Sequence, residues 1–295
     1  MVPRPDEERR RAALEAAFAA GLAGQPHALY TFLARHSHLP SPRANEGLME
    51  EVAELAAGHG KKADRLLVAM ATLDADLALG GTEFEFVPMC GVLGLALRAA
   101  RDDDAYPKLL PVLHTAAEDL RYRVRDVVPQ ALARLGATRG DGLLEAVEPW
   151  MDGFFHAAAV LLALGQPGWL TAVHRGDLAA QRLDQAFALA RGASRSASRY
   201  PGYKALLDAL AVTPGLVAAR FGVPIFDTLE GWTKEKEPAL REVVEKNLRS
   251  PRLAGRHAAD IERVQRALAA SAPVRRDPNT YVGPTRNRSR GRKKG

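Results

Sequence analysis

Along most of the chain apolar residues return at intervals of three and four, the spacing that keeps them on one face of an α-helix. Alternation of the kind a half-buried strand needs is confined to TEFEFV at 82–87. The pattern predicts an all-α protein. Its helices fall near 6–23, 26–35, 43–58, 61–79, 84–100, 106–117, 122–135 and 142–150, then 154–164, 170–191, 203–210, 214–221, 223–229, 238–248 and 254–270. Glycine, proline and aspartate separate them, as at Gly80-Gly81, 136–142 and 165–168, and links this short favour antiparallel neighbours. Two longer irregular stretches remain: GASRSASRYPG at 192–202, which reads as a solvated loop, and the chain beyond Ser271.

The clearest unit is 106–136, YPKLLPVLHTAAEDLRYRVRDVVPQALARLG, which reads as two helices joined by a tight turn at Asp119. In the second helix Val124, Val127, Val128, Ala131, Leu132 and Leu135 make one apolar stripe. Tyr122, Asp126 and Ala133 point away from it, and Pro129 interrupts the hydrogen-bond ladder, which predicts a bend. Pro111, Asp119 eight residues later and Arg125 six residues further on resemble the HEAT repeat. A second copy follows near the end, where LREVVEKNL at 240–248 overlays VRDVVPQAL at 124–132, with Arg241 in place of Arg125 and Glu235 at the turn. The resemblance implies acid and base ladders between neighbouring units, with Asp119, Arg125, Glu235 and Arg241 as the rungs. It implies a right-handed α-solenoid of HEAT-like helical hairpins over 1–271, since such hairpins bury their faces only by stacking.

Charge changes the picture only once it is located. The formal net charge is +6, but 272–295 holds eight bases against Asp277, and the other 33 bases and 34 acids nearly cancel. A nucleic-acid cradle over the whole body therefore loses support. The final stretch TRNRSRGRKKG has nothing to bury and six positive charges, at Arg286, Arg288, Arg290, Arg292, Lys293 and Lys294. The whole of 272–295 is expected to be a disordered basic tail that attracts polyanions, with nucleic acid, an acidic protein and a solubility role all open. Within the body, Arg121, Arg123 and Arg125 around Tyr122 form a basic cluster that either contacts phosphates or serves the ladder.

Other features narrow the class. The single cysteine, Cys90, forms no intramolecular disulfide and sits in an apolar run, which fits a reducing, cytoplasmic setting. The acids Asp6, Glu7 and Glu8 near the start do not read as a secretory signal, and no apolar run approaches the roughly 20 residues that a membrane span needs. His36 and His38 read as a helix end, and His59, His114, His156 and His174 as isolated histidines. Asp74, Asp76 and 102–104 read as solvated helix ends. No nucleophile elbow or phosphate loop is present in the sequence, so no cofactor or metal is expected.

The expectation is a non-catalytic scaffold binding a protein or peptide, with nucleic-acid contact through the tail and no membrane role. The alternative comes from a resemblance in architecture to the alkylpurine DNA glycosylases built of HEAT-like repeats. That family uses aromatic residues and a carboxylate on a concave face, for which Trp150 with Asp152, Trp169 and Trp232 are the candidates here.

Overall fold

The computed structural model describes residues 5–253 and 255–272. Among these it contains sixteen α-helices, four short 3-10 turns and no strand. The helices are α1 (Pro5–Leu22), α2 (His27–His36), α3 (Glu46–His59), α4 (Lys61–Ala71), α5 (Phe86–Arg101), α6 (Tyr106–Ala116), α7 (Tyr122–Arg139) and α8 (Asp141–Ala146). There follow α9 (Phe154–Leu164), α10 (Pro167–Ala172), α11 (Gly176–Arg191), α12 (Pro201–Leu210), α13 (Thr213–Phe221), α14 (Val223–Trp232), α15 (Pro238–Leu248) and α16 (Ala258–Ala270). The basic residues Arg286, Arg288, Arg290, Arg292, Lys293 and Lys294 lie outside the described residues.

The helices pack in two rows. In one row α3, α5, α7, α9, α12 and α15 follow each other as successive neighbours. In the other α4 packs on α6, and further along α8, α11, α14 and α16 succeed one another. A single apolar cluster runs between the rows from Leu14 to Leu268. Its centre is α5, buried from Phe86 to Ala99, which explains why that stretch is apolar all round rather than striped. Small residues set the spacing. A Cβ on Gly91 would fall 2.4 Å from the backbone nitrogen of Ala71, so α4 and α5 touch at their backbones. One on Gly136 would fall 2.2 Å from Cγ of Trp169, which gives that indole its slot against α7. Cys90 lies in the α5 core, where burial pushes its thiol up and keeps it from reacting as a thiolate. No helix among the described residues is long and apolar enough to cross a membrane.

The helical pattern holds, while several element boundaries move. The alternating 82–87 stretch makes a 3-10 turn at Glu83–Glu85 leading into α5. The helix expected at 61–79 stops at Ala71: the Thr72 hydroxyl donates to Val68 O, and Asp74 accepts the Asp76 N–H in a local turn. The helix expected at 170–191 is two helices, because the Asp141 carboxylate takes the N–H groups of His174 and Arg175 and draws the chain out between them. Through Pro129, α7 runs on from Tyr122 to Arg139.

Candidate functional site

Arginines from one hairpin reach backbone carbonyls of the preceding one. Arg121 Nη1 donates to Ala78 O at 3.2 Å, Arg139 Nη2 to Ala99 O at 2.7 Å, and Arg182 Nε to Leu144 O at 2.9 Å. Arg220 Nη2 donates to Thr171 O and Val173 O at 2.9 and 2.8 Å. These pairs lie 43, 40, 38, 49 and 47 residues apart, about the length of two helices with their links. Most of the carbonyls stand at or beyond helix C-termini, where no intrahelical donor is left for them, and a planar cation serves them well.

The ladder residues take a different arrangement from the one the resemblance implied. Asp119 pairs with Arg121, not with Arg125: Oδ1 accepts from Nε at 2.8 Å and Oδ2 from Nη2 at 2.6 Å. The turn is so tight that Arg121 also donates its own backbone N–H to Asp119 Oδ1 at 2.8 Å. Burial works against the ionised Asp119, yet the fork and backbone N–H of Arg121 and the charge of Arg125 outweigh it. Its carboxyl therefore titrates below the ordinary range. Arg125 instead donates Nη1 to the backbone carbonyl of Asp119 and lays its guanidinium over the Phe155 ring, 4.5 Å from the centroid, on the next hairpin. In the second copy Arg241 Nη1 donates to Glu235 O at 3.1 Å, the same bond six residues back. Among the described residues the Glu235 carboxylate meets only the exposed Arg191, at 3.4 Å.

This arrangement also employs the basic cluster internally. Arg121 is buried, with its fork on Asp119 and Ala78. Arg123 donates to the fully buried Glu85 and to Ser41 O, both at 3.2 Å, and lies over Tyr122. These arginines are committed to the fold, so a phosphate would have to displace their partners. Where the 73–85 segment meets the 119–122 turn, the Arg121 to Ala78 bond brings Leu77, Leu79, Leu120 and Tyr122 to one edge. All four are exposed, Leu120 to 88%. Asp74, Asp76 and Glu83 are exposed on the same segment.

Beside that edge a cleft of about 500 Å³ opens between the end of α4, the end of α6 and the start of α9. His114 and His156 line it, and both reach Asp152 at the end of the 3-10 turn Glu148–Asp152. His114 Nε2 is 3.4 Å from Asp152 Oδ1 and 3.3 Å from Oδ2, and His156 Nδ1 is 2.8 Å from Oδ1. The two imidazoles stack at 3.7 Å, and Trp150 stands edge-on to both. Burial raises the Asp152 carboxyl, but the hydrogen bond from His156 and the two imidazoles more than offset that and hold it low. Among the described residues these three side chains are the set of histidine, cysteine and acid groups close enough to share a metal ion.

Read singly, His114 and His156 carry no message in the sequence. The usable signal is a pair of four-residue spacings, His114 with Glu118 and Asp152 with His156, set 38 residues apart. That offset matches one hairpin and places the pairs at facing helix ends. The tryptophans named for base recognition are all buried: Trp150 behind the imidazoles, Trp169 with its indole N–H on Gly140 O, and Trp232 stacked on Phe187. Trp232 does donate to Asp184 Oδ1 at 2.8 Å in a second cleft, but Asp177, Asp227 and Glu235 line that cleft too, against Arg191. Comparison with family models, with curated proteins and with solved structures gave no match to this chain.

Proposed function

We propose that the protein is a non-catalytic, HEAT-like α-solenoid scaffold of the cytoplasm that binds a protein or peptide partner. The observation that carries this reading is the exposed apolar edge formed by Leu77, Leu79, Leu120 and Tyr122. Clustered apolar side chains left in water mark interaction surfaces more often than isolated ones do. Support for the repeat architecture comes from the arginine-to-carbonyl bonds spaced about one hairpin apart, which hold successive units in register. The exposed acids Asp74, Asp76 and Glu83 beside the edge favour a partner segment that mixes apolar and basic residues.

Affinity capture from native lysate with the wild type and with Leu77→Asp/Leu120→Asp tests the reading. A partner held by the wild type and released by the double variant supports it. Recovery of nothing, or of the same set by both, opposes it. The tail is assigned an added electrostatic contribution toward nucleic acid: deleting 286–295 should flatten the dependence of affinity on salt, and an unchanged slope would reject that role.

A glycosylase-like role finds one favourable feature, the Trp232 and Asp184 pair, and one unfavourable one, the acids around it, which repel a phosphate backbone. Base release from alkylated duplex DNA would revive it.

A further inference from the structure

We propose that His114, Asp152 and His156 form a site for one divalent transition-metal ion of the zinc class, with an open coordination position facing the cleft. The site is independent of the scaffold reading and concerns a different set of side chains.

The geometry is the argument. Ligands held about 2.0–2.1 Å from a tetrahedral zinc stand roughly 3.3 Å from one another. The 3.3 and 3.4 Å from His114 Nε2 to the two oxygens of Asp152 match that separation. The 2.8 Å from His156 Nδ1 to Oδ1 is shorter, and the Asp152 side chain, 54% exposed, has the freedom to open it. The two imidazoles, whose centroids stand 3.7 Å apart, part by about 1 Å or more when both meet one ion in their ring planes.

The surroundings point the same way. Gly153 leaves room that a side chain would take: a Cβ there would lie 2.7 Å from His156 Nδ1 and 3.0 Å from Glu118 Oε1. Glu118 thus stands at the rim, outside the three-atom set, where it can hold a water on the metal. Two nitrogens and one carboxylate suit zinc or its neighbours, whereas calcium and magnesium ask for six or more oxygens. Trp150 walls the inner side, and the cleft supplies access from the outer one.

The test is metal titration of the untagged full-length chain at pH 7.5 with Zn2+ against a chromophoric chelator, and with Co2+ followed by visible absorption. The expected result is one equivalent of Zn2+ bound with a Kd at or below about 1 μM, and Co2+ bands of a tetrahedral or five-coordinate centre. His156 is too buried to be the first choice of variant, so Asp152→Asn and His114→Gln are used, with circular dichroism melts without metal to show that they fold. Both should weaken Zn2+ at least about tenfold and abolish the Co2+ bands. Absence of binding at about 100 μM metal, or stoichiometric binding that both folded variants retain, would overturn the proposal.

Discussion

The hairpin turning at Asp119 and the one turning at Glu235 share one bond and differ in everything around it. In both, an arginine in the second helix donates Nη1 to the turn carbonyl six residues back. In the first, the guanidinium continues onto the face of Phe155 in the next hairpin. In the second, Arg241 has α16 beside it, and its fork is spread over Thr233 O, Leu268 O, Ser271 O and Ser271 Oγ. The end of α16 offers carbonyls without an intrahelical donor, and one buried guanidinium closes the turn and that helix end together. The acid at the turn is not the shared element. Asp119 is held by Arg121, while among the described residues Glu235 has only an exposed partner.

Substitutions at these positions should therefore rank by what each group holds. Arg241→Ala has the largest expected effect, a loss of about 3 kcal/mol in urea unfolding, because it strands several carbonyls in a buried place. Arg241→Lys should recover little of this, since an ammonium cannot span both helix ends. Arg125→Ala should cost less, about 1–2 kcal/mol, for one charge-assisted hydrogen bond and one ring contact.

Asp119 brings a pH dependence. Its folded pKa lies below the unfolded value of about 3.9, so the stability it contributes is present above that value and is lost as pH falls through the folded one. Unfolding midpoints taken from pH 5 to pH 2 should fall less steeply for Asp119→Asn than for the wild type. Glu235→Gln has the smallest expected effect, within about 0.5 kcal/mol at neutral pH, as an exposed pair contributes little. A Glu235→Gln loss equal to that of Asp119→Asn would erase the distinction between the two turns.

What the sequence displays and what it hides follow from the range of the interactions involved. Helices and the apolar stripe of α7 are written in three- and four-residue spacings, which depend on near neighbours alone. The break after Ala172 is not, because Asp141, more than thirty residues earlier, supplies the acceptor that opens it. Arg121 looks like a surface cation until the Ala78 carbonyl, 43 residues away, closes over it. His114 and Asp152 likewise meet only when one hairpin is laid on the next.

The most direct measurement of the arginine and turn-carbonyl account is a pair of double-mutant cycles on stability, Asp119→Asn with Arg121→Ala and Asp119→Asn with Arg125→Ala. The account predicts a coupling of about 1–2 kcal/mol for the first pair and under about 0.5 kcal/mol for the second, since Arg125 binds the backbone oxygen that the substitution leaves in place. A coupling in the second pair as large as that in the first would show that the carboxylate is the rung after all.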